Sequence, residues 1–121
     1  PFGAGHGPLA ANTSDARLFR PTPVGAFPES DTPEGVADLM GNTWDWTSTA
    51  RGTSDGAVDF TYPYDASDGR EDHGLPPDVG RIARGGSWNG LVVGAMPHNR
   101  NLRLPAFREN DLGFRVAVDA S

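Results

Sequence analysis

The sequence predicts an α+β domain built on a small twisted antiparallel sheet, with few short helices and extensive ordered loops. Three observations lead there. Gly (16) and Pro (11) interrupt nearly every stretch of ten residues, so no long periodic helix can form. The apolar fraction is 36%, which suits one modest core rather than a helical bundle. Short aromatic or alternating runs, among them Trp44-Asp45-Trp46-Thr47 and Gly113 to Val118, read as strands. At 121 residues the chain holds at most one domain.

Taken in order, residues 1–20 are Gly/Ala-rich with few apolar anchors and read as irregular. Residues 21–28 alternate Pro with other residues and predict a short extended segment, since Pro restricts itself and its predecessor. Thr32-Pro33-Glu34 predicts one helical turn, with Thr32 as N-cap and Pro33 at the first helical position. Residues 48–80 form a long polar insertion, pinned to the body through Tyr62-Pro63-Tyr64. Its Asp65, Asp68, Glu71 and Asp72 lack the spacing of a helix-loop-helix calcium site and read as a solvated acidic loop, salt-bridged to Arg70. Arg81 to Trp88 reads as a strand ending in a Gly85-Gly86 bend. Residues 89–111 are loop-like, and Gly113 to Val118 closes the sheet with Phe114, Val116 and Val118 on one face.

Composition narrows function. All ten basic residues are Arg, scattered through a chain of net charge −6, so no nucleic-acid partner is expected. No membrane partner is expected either, since no apolar run reaches spanning length. There is no Cys, which removes disulfides, thiolate metal sites and thiol nucleophiles together and leaves the compartment open. The histidines, His6, His73 and His98, are dispersed, and only His98 falls where a site is expected.

Four ordered segments carry a resemblance. Residues 22–28 (TPVGAFP), 35–47 (GVADLMGNTWDWT), 81–88 (RIARGGSW) and 112–116 (LGFRV) together resemble the formylglycine-generating-enzyme, or sulfatase-modifying factor, family. Residues 62–72 are similar to an insertion common in bacterial members. The resemblance implies a C-type-lectin-like fold, of which residues 1–121 would be the C-terminal part, with an N-terminal portion supplied by another segment or partner. Trp44, Trp46, Trp88 and Phe114 would then serve the core.

The resemblance also implies a structural calcium. By matching positions, Asp38 and Asp45 would give side-chain oxygens and Gly41 and Thr43 backbone oxygens; hard oxygens converging on a turn suit that ion. Asp38 as a turn cap and Asp45 as a solvated strand residue is the plainer alternative. The family's two catalytic cysteines, which hold copper and the substrate thiol, fall on Gly90 and Ala95, neither able to ligate or attack through its side chain. Sulfoxide synthases of the same superfamily bind iron through histidines of a separate helical domain. Thiol oxidation by residues of this chain is therefore not expected.

A binding role is the first expectation, with a protein or other surface ligand as partner. In the variable proteins of diversity-generating retroelements, the segment between GGSW and GFR displays mutable residues on a rigid scaffold, and Arg100, Pro105, Arg108 and Gly113-Phe114-Arg115 fall on the positions of their pattern. A variable protein would sit on a cell surface or a phage. Gly90, Leu91, Val93, Gly94, Arg103 and Phe107 are reachable from mutated Asn codons, whereas Met96 and Glu109 are not. Gly90, Leu91, Val93, Gly94, His98, Leu102, Arg103, Leu104, Phe107, Glu109 and Asp111 form the expected contact surface, with Arg103 and Phe107 as anchors. An enzyme or accessory subunit of the formylglycine-generating or sulfoxide-synthase type, acting with a missing domain, is the second expectation. A calcium-stabilised structural domain is the third.

Overall fold

The computed structural model describes residues 9–118. Four strands form one sheet in the order β3-β2-β1-β4. They are β1 (Trp44–Gly52), β2 (Gly80–Arg84), β3 (Asn101–Arg103) and β4 (Leu112–Gly113). β1 pairs antiparallel with β2, aligning Asp45 with Arg84 and Trp46 with Ala83, and an irregular register follows before Ala50 meets Arg81. β3 lies antiparallel on β2, with Leu102 opposite Ile82. β4 pairs parallel with β1, Trp44 opposite Leu112. The sheet is thus mixed rather than wholly antiparallel, because the loop after β3 returns the chain to the far side of β1. The described helices are single 3-10 turns, at Ser14–Ala16, Pro28–Ser30 and Val92–Ala95. None is long and apolar enough to cross a membrane.

β1 extends five residues beyond the predicted Trp44–Thr47. Its polar end is held by side chains: Ser48 and Thr49 hydroxyls both donate to the Glu71 carboxylate, and Ala50 N–H donates to Arg70 O at 2.7 Å. The helical turn expected at Thr32 is a tight loop instead. Thr32 N–H donates to Val36 O and Gly35 N–H donates back to Thr32 O, while the Thr32 hydroxyl accepts from Val36 N–H. The helical turn falls earlier, at Pro28, where the fixed φ of Pro starts it.

The buried core is rich in alanine: Ala10, Ala11, Ala50, Ala83 and Ala95 are buried along with Met40, Val79 and Ile82. Residues 10–13, within the stretch read as irregular and poorly anchored, are buried. Asn12 ties them down through its amide, which donates to Arg20 O and to Asn42 Oδ1. The tryptophans are half-buried rather than central, and Phe114 is 76% exposed. Gly85 and Gly86 do supply the predicted bend, with φ of 95° and 72°. A Cβ on Gly86 would meet Ala95 Cα at 2.6 Å, so the bend also sets the closest approach of the 92–95 turn to β2.

The closing strand is shorter than its alternation predicted. Only Leu112 and Gly113 pair; residues 114–118 follow without a strand partner, and Val116 and Val118 are 85% and 92% exposed. Alternation marks a segment able to pair, and pairing needs a neighbour the described residues do not supply.

Candidate functional site

Three clefts open along the outer edge of β3. Leu102 sits at its centre, 41% exposed, its side chain projecting from an edge strand. It lies close over β2 because residue 80 is Gly; a Cβ there would collide with the Leu102 side chain. Three clefts share Leu102. One of about 220 Å³ is bounded by Arg51, Tyr62, Ile82 and Arg100. A second of about 360 Å³ runs along Gly52 to Ser54 toward Asp59. A third of about 310 Å³ is walled by Ser54, Asp78, Arg103, Leu104 and Phe107.

Three guanidinium groups rim this edge. Arg103 lies 5.0 Å from the Phe107 ring centre, donates to Leu102 O at 3.0 Å and pairs with Glu109 at 3.7 Å. Arg51 is paired with Asp59. Arg100 stacks on Tyr62, 3.8 Å from its ring centre, and has no carboxylate partner among the described residues. Arg51, Tyr62 and Arg100 were not among the contact residues expected from sequence. The signal that finds them is spatial, since the insertion folds back over β3.

The expected contact residues divide. Leu102, Arg103, Leu104 and Phe107 come together at the third cleft. Glu109 is exposed and serves Arg103. Gly90, Leu91, Val93 and Gly94 lie on another turn and line none of the three clefts. That turn is moored to the 3-10 turn Ser14–Ala16: Ser14 N–H donates to Gly90 O, and Val92 N–H donates to the Asp15 carboxylate. Leu91 and Val93 are exposed there, as is His98 beyond. Asp111 is corrected. It is buried, and its Oδ2 accepts from the Ser87 hydroxyl at 2.6 Å, so the carboxylate is spent inside the scaffold. His6 lies outside the described residues.

The Asp38–Asp45 loop is clamped by an arginine. Arg115 Nε donates to Asp45 Oδ2 at 2.7 Å, and its two terminal nitrogens donate to Ala37 O and Asp38 O, each at 2.9 Å. Asp38 is buried with φ 55°, and its Oδ2 accepts from Gly25 N–H. Gly41 N–H donates to Gly85 O, and Thr43 packs beside Gly113. Both carboxylates are thus engaged with protein donors, one with a full positive charge. Among the described residues no group of three or more His, Cys, Asp or Glu side chains converges.

The insertion is organised from within. Arg70 is buried and bonds Asp68 through Nε and Nη2, donates to Thr61 O at 2.8 Å, and lies 5.0 Å from the Tyr64 ring centre. Hydrogen bonds from Arg70 hold the Asp68 carboxyl below its usual range. Burial pushes Glu71 up, but hydrogen bonds from Ser48, Thr49 and Tyr64, with the Arg81 charge, bring it below the ordinary glutamate range.

A sequence model of the family described as the sulfatase-modifying factor enzyme 1-like domain matches residues 3–120. The chain is 33% identical over 111 residues to the hercynine oxygenase of Mycolicibacterium smegmatis, covering 92% of this chain and 25% of that protein. It is 32% identical over 105 residues to the hercynine oxygenase of Mycobacterium tuberculosis, covering 85% and 23%. The inactive C-alpha-formylglycine-generating enzyme 2 of Mus musculus is 30% identical over 104 residues, covering 82% and 26%. The chain spans about a quarter of the length of these curated relatives.

Proposed function

This chain belongs to the sulfatase-modifying factor enzyme 1-like family, and from that premise we propose that it is a ligand-binding domain whose contact surface is the outer edge of β3. One observation carries the reading: three clefts meet at a single exposed leucine, rimmed by three arginines and flanked by the rings of Tyr62 and Phe107. Aromatic and arginine side chains around a partly desolvated apolar centre are the usual anchors of recognition. The chain has no thiol to bring to redox chemistry. The test is selection of heptapeptides from a random library on the immobilised chain. Selected peptides should lose tenfold or more in affinity on Phe107→Ala and on Arg103→Ala. Peptides indifferent to both variants would overturn the reading.

The finer form of the proposal is a C-type-lectin-like scaffold that displays a variable segment. The spacing of Arg100, Pro105, Arg108 and Gly113-Phe114-Arg115 supports it. Sibling genes differing almost solely between Trp88 and Gly113 are its expected signature; uniform divergence along the gene would remove it. The partner in the fold itself is proposed to be the remaining part of the family domain, docked on the exposed row Phe114, Val116 and Val118. The Asp38–Asp45 loop is proposed to take calcium, in competition with Arg115. Millimolar calcium should then raise the melting temperature and a chelator reverse the gain. An unchanged melt leaves Arg115 as the clamp and removes the ion.

A second reading is favoured by the hercynine oxygenase relatives: the chain would contribute to an oxygenase acting with other polypeptide. Saturable hercynine binding in calorimetry, lost on Leu102→Glu, is expected under it. No heat up to about 10 mM, far weaker than ordinary substrate affinities, would leave binding of other ligands as the sole function.

A further inference from the structure

We propose that the cleft between Arg51, Tyr62, Arg100 and Leu102 is a carboxylate site, receiving the carboxylate of a ligand whose apolar end lies on Leu102 and Ile82; this rests on the reading of the β3 edge as a recognition surface. The charge balance of the cleft makes the case. Of its two guanidinium groups, Arg51 is neutralised by Asp59, and Arg100 has no carboxylate partner among the described residues. A chain of net charge −6 thus keeps an uncompensated cation at the mouth of this cavity. A negatively charged ligand group is favoured beside that cation.

The way Arg100 is held narrows the anion. Its guanidinium lies on the Tyr62 ring at 3.8 Å, so the ring covers one face of the plane. The N–H donors lie in that plane and stay available at its edge, where a planar carboxylate takes two parallel hydrogen bonds. Stacking also fixes the side chain, so less rotamer freedom is lost when the anion arrives. A tetrahedral phosphate carries more charge than one uncompensated arginine offsets, and the neighbouring Arg51 is already committed to Asp59.

The remaining walls are apolar. Ile82 is buried in β2, and Leu102 lies opposite it in register. At about 220 Å³ the cavity is smaller than the usual pocket for a drug-sized ligand, which fits a compact aliphatic acid. The same chemistry is offered by a free acid and by the C-terminus of a peptide ending in an aliphatic residue.

N-acetyl-L-leucine and N-acetyl-L-leucinamide, titrated at low salt and followed by NMR shifts of Ile82 and Leu102, form the test. The acid is expected to bind saturably and the amide at least tenfold more weakly. Arg100→Gln should cost the acid tenfold or more. Arg84→Gln should change nothing, because Arg84 lines a different cleft and donates to Pro97 O. The melting temperature of the Arg100→Gln protein serves as the folding control, and Arg100→Lys, which keeps the charge without the fork, should recover only part of the affinity. Equal binding of acid and amide, no saturation by the acid, or indifference to Arg100→Gln in a folded protein would overturn the proposal. An octapeptide ending in free Leu separates the two sources: tenfold tighter binding than the small acid assigns a chain terminus, and equal binding assigns a free acid. If heptapeptides still depend on Phe107 while the acid fails, the carboxylate site falls and the wider surface stands. If both fail, the recognition reading falls with it.

Discussion

Ser87 and Asp111 meet in the interior, hydroxyl to carboxylate at 2.6 Å, although 24 positions separate them in sequence. Removing the hydroxyl leaves a buried carboxylate without its donor, so Ser87→Ala should lower stability by about 1–3 kcal/mol in thermal or urea unfolding. Asp111→Asn keeps an acceptor in place and should cost less. Gly86→Ala should cost at least as much as Ser87→Ala, because it adds both an unfavourable φ and a collision with Ala95. The Gly-Gly bend was legible from the sequence, since glycine pairs mark backbone that other residues resist. The role of Asp111 was not. Nothing local distinguishes an aspartate that faces solvent from one whose partner arrives from a distant segment. The same limit hid Arg100 on Tyr62, and it hid Arg115, whose guanidinium closes the Asp38–Asp45 loop from 70 residues away.

The insertion between β1 and β2 behaves as an element in its own right, with Arg70 as its centre and Asp68, Tyr64 and Glu71 around it. Arg70→Gln should loosen residues 60–72 and speed their amide exchange while leaving β2 protected. Its pH response follows from the depressed acids. Asp68 and Glu71 have folded-state values below their unfolded ones. Their contribution is therefore complete above the unfolded carboxylate range, about pH 5, and lost as pH falls through the lower folded values. Tyrosine near-UV signal should be flat from pH 8 to about 5 and fade below about 4. A fade already complete at pH 6 would contradict this assignment. At this scale the sequence revealed β1 through its aromatic run and placed β2 ahead of the Gly85-Gly86 bend. It concealed β3, because Asn-Leu-Arg is too short to show a period, and it overstated the strand at 113–118, because alternation reports capacity to pair rather than the presence of a neighbour.

Among the described residues, a core of alanines with few large side chains coexists with exposed Phe114, Val116 and Val118 just past β4. Val116→Lys should leave the melting temperature of the chain unchanged, since that side chain is 85% exposed, yet prevent assembly with the proposed docking polypeptide in sedimentation. A large fall in melting temperature would show that the row is already packed. The family was legible because its signature residues cluster in four ordered segments, while the β3 edge proposed to recognise a ligand was legible only in outline. The Ser87–Asp111 bond has one more effect. It fastens both ends of the stretch between them, and the pairing of β3 with β2 anchors its middle. The chain entropy of closing that circuit is met at three fixed stations. Exposed side chains between the stations, Leu91 and Val93 among them, are therefore freer of the frame than buried Ala95, and exchange at those exposed positions should be tolerated on the same fixings.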